Sequence, residues 1–524
     1  MTVMVGIATC LDVLMGPGSQ MSTEEAYNAA SGALLACGHL ESLWALQYKW
    51  FCGGCTTEAA LAAPLFKLLG PSVFAWKWFV GCIHVTVVAA GVSIAGRAGG
   101  ARSAFVFAGL MLAAPGFYRE LALTGFGNHA ESTVFPFLSA AILLSTHKRS
   151  RAAKVGAAIA AGILMGFGIW FSPTVLHGFL AVLVIAVAAG PIPSIAYVLS
   201  LPVGLIPFMV YFRTVEVARR PAAEWWGTID FAPLGDLFQF VGADFAHTHL
   251  WPFVGTGGSS LWWFTLAALA VIGMGAMFTR TERPWAVRWF VPLCFVGLFS
   301  GYFVRFDLWS DNPAAIGYDP FNLRYRAPMF PLMALGAALT SGAMEEGSIL
   351  RKISAGFVVV LIAVGFVFRV NGWNIGQEPV FKTSAIQIDG RFDASVPEGE
   401  PPTRLPREMS RAVDIVAAVN FVNDHDDSLP VCRQLHLSEV GRRVGEGLVS
   451  RRSILDLAPA LTLATSLEGE DRDAFIRGLS ALFEHKNRRL GPDWNTVKPL
   501  LDRSVPDLAR AVDLRIQRVN QVNP

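Results

Sequence analysis

The sequence predicts an all-α membrane protein, a polytopic helix bundle of about 10 or 11 spans followed by a C-terminal soluble helical domain. Its 524 residues are 53% hydrophobic and only 16% charged, which is too apolar for a soluble protein of this size. The charged residues avoid the long apolar runs and gather after about residue 372. No basic tail or stripe indicates a nucleic-acid partner, so membrane lipids are the first partner that the composition implies.

About ten apolar runs approach the length of roughly 20 residues that a bilayer-spanning helix needs. We place them at 72–96, 103–117, 132–146, 153–171, 174–190, 193–212, 260–279, 286–305, 327–343 and 353–370. A weaker segment near 2–16, which Asp12 interrupts, would add one more span.

The orientation of these spans follows from the lysines and arginines, because basic residues concentrate in cytoplasmic links. Alternating the spans puts all the strongly basic links on one side, which are 97–102, 148–154, 280–288 and 351–352. We therefore predict an integral protein of the cell (inner or plasma) membrane. Its extracytoplasmic face would receive 17–71, 118–131, 213–259, 306–326 and the tail from 371.

The first extracytoplasmic loop predicts two helices lying along the membrane interface. Ser22 or Thr23 would cap the first helix, which continues to Cys37. The amphipathic segment Thr56–Leu69 forms the second, and Gly70 followed by Pro71 ends it.

Three short motifs carry a family resemblance. Glu24-Glu25-Ala26-Tyr27 follows the first apolar segment, Ala-Pro-Leu-Phe-x-x-Leu-Gly spans 63–70, and Arg324-Tyr325-Arg326-Ala327-Pro328 opens a late span. With the motifs in this order and on the predicted extracytoplasmic side, residues 1–370 resemble the GT-C superfamily of integral-membrane glycosyltransferases. The nearest likeness is to protein O-mannosyltransferases and to bacterial enzymes that transfer aminoarabinose or mannose from a polyprenyl phosphate.

The resemblance implies transfer of a sugar from a polyprenyl-phosphate donor to an acceptor hydroxyl. Glu24 or Glu25 would be the general base, although family members usually carry Asp-Glu where this chain has Glu-Glu. Arg324 and Arg326, with Tyr325 between them, would hold the donor phosphate, because a guanidinium fork matches phosphate oxygens. The alternative is that this basic motif is an interfacial anchor whose side chains reach up to the headgroups.

Two His-x-Glu triplets suggest a further binding site shared between loops. They are His39-x-Glu41 and His129-x-Glu131, the latter directly before a span. Polar residues at such positions are costly unless they are used or solvated. The triplets would orient the acceptor, or bind an optional divalent metal together with His247 and His249. No cofactor is required by this reading, and surface histidines beside solvated carboxylates are the alternative.

Cys52-Gly53-Gly54-Cys55 is expected to be a structural disulfide, because the motif faces outward, where disulfides persist. A metal site that also uses Cys37 is the alternative.

The composition changes after residue 370. A proline-rich linker spans 371–408, and 409–524 would form an extracytoplasmic helical domain. Helical periodicity places its helices at 409–424, 432–449, 472–486 and 504–519. The sequence of this domain contains no catalytic motif.

The competing interpretation of the chain is a transporter or flippase for a lipid-linked or polar solute. Such proteins usually carry inverted repeats and midplane charges. This chain has no convincing internal repeat, and its polar residues cluster at the span ends, which favours the enzyme.

Overall fold

A computed structural model describes most of the chain: residues 2–15, 23–36, 43, 53–70, 73–125, 127, 130–214, 229–231, 258–279, 285–300, 304–306, 327–344, 348–370, 454–480, 483, 494–522 and parts of 433–448. The chain divides into two compact units. The first contains 1–22, 50–58 and 77–383, and the second contains 23–49, 59–76 and 384–524.

The first unit is built almost entirely from apolar helices. In chain order, and including two helices that both units share, they are α1 (Thr2–Met15), the start of α3 (Gly53–Leu69), most of α4 (Val73–Gly99), α5 (Ala101–Leu112), α6 (Gly116–Ala122), α7 (Val134–Ser145), α8 (Arg151–Phe171), α9 (Phe179–Ala189), α10 (Pro191–Gly204), α11 (Ile206–Thr214), α12 (Gly258–Thr279), α13 (Trp285–Ser300), α14 (Met329–Ala343) and α15 (Ile349–Val370). Short 3-10 turns at Glu131–Thr133 and Pro173–Gly178 lead into α7 and α9.

Within the described residues, four helical stretches are long and apolar enough to cross a membrane. They are Phe74–Gly99, Arg151–Phe171, Pro191–Arg213 and Ile349–Val367. Most of the remaining helices of this unit are shorter apolar segments. The protein is therefore an integral membrane protein of helical class, and each predicted span coincides with one or more of these helices.

The helices of the first unit pack closely because small residues line their contacts. α8 meets α10 where a Cβ on Gly166 would lie 2.1 Å from the carbonyl oxygen of Leu201. Only glycine permits this backbone approach, which is a common way for membrane helices to associate. α12 packs on α14, and α13 on α9, around one continuous apolar core.

The ends of α4, α5 and α14 that adjoin predicted cytoplasmic links lie together at one end of this bundle. Ser103 of α5 hydrogen-bonds Ser341 of α14 at 3.3 Å, and a Cβ on Gly342 would lie 1.8 Å from the Gly99 carbonyl oxygen at the end of α4. The alternation of spans inferred from basic residues puts all three of these ends on the same side, in agreement with the contacts.

A small two-stranded sheet also belongs to the first unit. β1 (Ile229–Phe231) pairs antiparallel with β2 (Val304–Phe306), with Asp230 opposite Arg305. The span predicted at 286–305 is therefore too long, since its helix ends at Ser300 and Val304–Phe306 form a strand.

The second unit contains both predicted interfacial helices, α2 (Thr23–Ala36) and most of α3. Their mutual packing is tight, since a Cβ on Gly32 would lie 3.1 Å from the Ala59 carbonyl oxygen. α3 ends where expected, at Leu69, with Gly70 at φ 79°.

The tail forms its own helical core in this unit. Its helices are short pieces within 433–448, then α16 (Ile454–Ser466), α17 (Gly469–Ser480), α18 (Trp494–Asp502) and α19 (Pro506–Val522). The predictions at 472–486 and 504–519 overlap α17 and α19, although α17 ends at Ser480, and the described residues within 432–449 are helical. α16 and α18 were missed because Pro459 and Pro499 lie inside them. The helix predicted at 409–424 lies outside the described residues, and the domain limits at 370 and 408 stay predictions.

Candidate active site

α6 is a seven-residue helix at the end of the bundle that the sequence assigns to the extracytoplasmic face. It begins after Pro115, whose φ of −64° suits the start of a helix, and Leu123 closes it. Side chains from three other helices, α1, α4 and α14, converge on these roughly two turns.

The first contact is a buried ion pair. The guanidinium of Arg119 donates to Asp12 of α1 with 2.7 Å between Nη1 and Oδ1, and its Nε donates to the Ala114 carbonyl at 3.1 Å. Arg119 and Asp12 are each 8% exposed. One arginine therefore ties α1, the α5–α6 junction and α6 together.

The second contact fixes the end of α6. Lys77 of α4, which is 1% exposed, donates from Nζ to the Leu123 carbonyl at 2.8 Å. The Leu123 amide donates back to the carbonyls of Arg119 and Glu120. The loop that leaves α6 therefore starts at Leu123, whose backbone amide and carbonyl are both hydrogen-bonded.

The third contact is aromatic. The Tyr118 ring lies with its centroid 4.5 Å from that of Phe330 in α14 and 5.7 Å from that of His84 in α4. Trp262 of α12 also stacks on Phe330, with 6.3 Å between the ring centroids, and donates from Nε1 to the Leu361 carbonyl. Burial raises the pKa of the Tyr118 hydroxyl, so this group stays protonated.

The loop after α6 ends in a buried glutamate. Glu131 is 2% exposed, and the Gly127 amide approaches its Oε1 at 3.4 Å. Gly127 has φ 75° and faces the start of α3, where a Cβ on Gly54 would lie 1.3 Å from its carbonyl oxygen. Two glycines are thus required at this crossing, one for backbone conformation and one for space.

Hydroxyl groups extend this polar region toward α8. Thr174 donates to Ser132, the neighbour of Glu131, at 2.8 Å and contacts the Ser172 hydroxyl at the same distance. At the start of α3, Thr57 accepts a hydrogen bond from the Trp170 indole at 3.2 Å.

A separate buried carboxylate lies in the second unit. Glu25, in the first turn of α2, is 0% exposed and accepts a hydrogen bond from Trp76 Nε1 at 2.9 Å. Trp76 is also fully buried, and its ring packs against Phe66 of α3.

The roles of the predicted site residues stay predictions, because these contacts do not test them. The structure describes Glu131 and Glu25 as buried and hydrogen-bonded, and it describes the backbone of Glu24 in α2 without its side chain. The other predicted residues lie outside the described part of the chain: Arg324, Tyr325, Arg326, His39, Glu41, His129, His247 and His249. Within the described residues, no group of three or more His, Cys, Asp or Glu side chains could hold a metal ion.

The Cys-x-x-Cys prediction is partly tested. Cys55 forms a disulfide bond, whereas Cys52 and Cys37 lie outside the described residues, so the pairing stays a prediction.

Sequence reasoning missed the residues at the centre of this cluster, namely Asp12, Lys77, Tyr118 and Arg119. A signal existed for one of them, because Asp12 is an ionisable residue inside an apolar segment, and such residues generally face a partner or a functional cavity. Its partner could not be found, since Arg119 is more than a hundred positions away and looked like one of several charges in a loop.

Comparisons with known proteins give a likeness of fold only. No protein-family model and no curated protein matches the sequence. Among solved structures, the chain is similar to ArnT from Cupriavidus metallidurans, with 15% identity and a TM-score of 0.47 over 91% of this chain and 75% of that one. That protein was also solved bound to undecaprenyl phosphate.

A second similar structure is the Archaeoglobus fulgidus oligosaccharyltransferase, with 11% identity and a TM-score of 0.43 over 72% of this chain. The chain spans just over half (56%) of the length of that enzyme. Both similar proteins are GT-C glycosyltransferases, the class that the sequence motifs resemble. At these identities, the activity and the residue roles must be argued from the geometry of this chain.

Proposed function

We propose that this protein is a membrane glycosyltransferase that moves a sugar from a polyprenyl-phosphate donor to an acceptor hydroxyl at the extracytoplasmic face of the cell membrane. The observation that carries the proposal is the contact between Tyr118 and Phe330. It joins the helix that leads to Glu131 to the start of α14, directly after the Arg-Tyr-Arg motif in sequence. The buried charges around this contact support a functional site, because ionisable groups inside a membrane bundle are costly.

Arg324 and Arg326 would hold the donor phosphate, with Tyr325 beside them, in this proposal. Glu131, His129, His39 and Glu41 would contact the sugar or the acceptor. In the transfer step, the acceptor oxygen bonds to the anomeric carbon while the carbon–oxygen bond to phosphate breaks. The electron pair of that bond leaves with the phosphate, where cations stabilise it, and a carboxylate takes the acceptor proton.

The geometry of Glu25 favours Glu24 as this base. Glu25 is fully buried against Trp76, whereas a base must be reachable by the acceptor. Glu24 is the other carboxylate of the Glu24-Glu25 pair and is therefore the remaining candidate. In this interpretation Glu25 anchors the start of α2, and Glu24 carries out the proton transfer.

The test is sugar transfer from a polyprenyl-phosphate donor in detergent, with Glu24→Gln, Glu25→Gln and Arg324→Ala. Loss of a general base lowers turnover by about 10²–10⁴. Arg324→Ala should weaken donor binding as well, because phosphate is present in both ground and transition states. Arg351→Ala, at a predicted cytoplasmic link, is the matched control and should retain full activity.

The outcomes separate the competing readings. Full activity in both glutamate variants would remove these residues as bases and direct attention to Glu131. The absence of transfer with every donor, together with substrate-dependent flux in liposomes, would support the transporter instead. Activity after treatment with a chelator tests the optional divalent metal.

A further inference from the structure

The Asp12–Arg119 ion pair suggests a role beyond holding two helices together. Both side chains are buried, and together they join α1 to the short helix α6. A buried ion pair is a poor way to stabilise a fold, since apolar residues of similar volume often serve as well or better. Its presence in an otherwise apolar helix therefore calls for a reason other than stability.

The contacts of α6 supply that reason. Tyr118, the residue before Arg119, packs on Phe330 just after the Arg-Tyr-Arg motif. One turn later, Leu123 is held by Lys77 and starts the loop that ends in Glu131. A shift of α6 would therefore move both the start of α14 and the Glu131 loop.

We propose that Asp12 and Arg119 form a positioning pair that sets α6 so that the start of α14 at Phe330 and the Glu131 loop are aligned for the transfer reaction. The proposal rests on the proposed function. An ion pair suits this task because the guanidinium must satisfy two directed hydrogen bonds, to Asp12 and to the Ala114 carbonyl, which fix the rotation of α6. Apolar packing imposes no such directional constraint.

The decisive variant is the double substitution Asp12→Leu with Arg119→Met, which fills the space without leaving a buried unpaired charge. The single variant Asp12→Asn leaves Arg119 in place, and Asp12→Glu keeps the pair as the conservative rescue. Ser341→Ala is the matched control, because it removes a buried interhelical hydrogen bond at the opposite end of the bundle. Each full-length protein is reconstituted in nanodiscs.

Three measurements are made on each variant: thermal unfolding, hydrogen exchange of 116–131 and of 327–335 at the start of α14, and the kinetics of sugar transfer. We expect the apolar double variant to unfold like the wild type but to exchange faster in both segments. Its kcat should fall by about 10–100-fold with KM nearly unchanged, which is the effect of misplacing catalytic groups. Asp12→Glu and Ser341→Ala should behave like the wild type in exchange and kcat.

Unchanged exchange in both segments of the double variant would overturn the proposal, whatever happens to activity. So would a double variant with normal kcat, because the pair would then be structural only. A wild-type protein without transfer activity would instead refute the proposed function, and the exchange data would still decide whether the pair sets α6.

Discussion

The Trp76 indole donates a hydrogen bond of 2.9 Å to the Glu25 carboxylate, and neither residue is exposed to solvent. The sequence separates the two by 51 positions, one at the start of α2 and the other in the first turn of α4. A buried carboxylate needs such a donor, because an ionised group without a partner is very costly to bury.

Trp76→Phe tests the importance of this bond. The substitution keeps an aromatic ring against Phe66 but removes the only donor of the indole, so we expect the protein to lose about 1.5–3 kcal/mol of stability. Thermal unfolding in detergent measures the loss. If the substitution acts by leaving the carboxylate unsatisfied, adding Glu25→Leu should recover part of it. No recovery in the double variant would mean that lost ring packing explains the effect.

Gly54→Ala should be strongly unfavourable. The added methyl group would lie 1.3 Å from the Gly127 carbonyl oxygen, so one backbone must move. We expect a cost of at least about 1–3 kcal/mol, the usual range for overpacking, and a loss of transfer activity because the Glu131 loop moves. Gly156→Ala is the control, since its methyl group meets nothing within 4 Å and alanine favours the helix. Equal unfolding temperatures for both variants would contradict the conclusion that position 54 must be glycine where it crosses Gly127.

The partner of Cys55 is expected to be Cys52. Tryptic digestion without reductant should then yield residues 50–67 as one peptide, two mass units lighter than its reduced form. This difference of about two mass units corresponds to the two hydrogen atoms that are lost when the disulfide forms. A disulfide to Cys37 or Cys432 would instead link this peptide to a second one, which mass spectrometry distinguishes directly.

The tail domain should lose local stability in acid through Asp513. Hydrogen bonds from Lys498 and, secondarily, Trp494 lower the pKa of the Asp513 carboxyl below its ordinary value. A lowered folded-state pKa means that the contribution is present above the ordinary carboxyl pKa of about 3.9 and disappears as the pH falls through the lowered value. The effect is small because both side chains are partly exposed.

Hydrogen exchange of 494–522, corrected for the intrinsic pH dependence of exchange, checks this expectation. Asp513→Asn should already show the faster exchange at neutral pH and little further change in acid. Asp507→Asn removes a carboxylate from the same helix and serves as the control. An identical acid profile for wild type and Asp513→Asn would show that another group is responsible.

Much of the architecture could be predicted because it depends on local signals. The spans at 72–96 and 153–171 coincide with α4 and α8, since a membrane helix must be apolar along its whole length. Helices α2 and α3 were also predicted, the first from its capping residue and acidic start and the second from its glycine end. Helices α16 and α18 were not predicted, because each contains a proline, which disfavours a helix locally. Tertiary packing outweighs that penalty.

The sequence by itself determined that the protein is a helical membrane protein, where its spans lie, and which motifs deserve functional attention. Only the tertiary structure decided that Asp12 pairs with Arg119, that Lys77 holds Leu123, and that Tyr118 meets Phe330. The reason is physical: helix formation in a membrane depends on the composition of about 20 consecutive residues. A contact between α1 and α6, by contrast, depends on how every intervening helix packs, which no local pattern records.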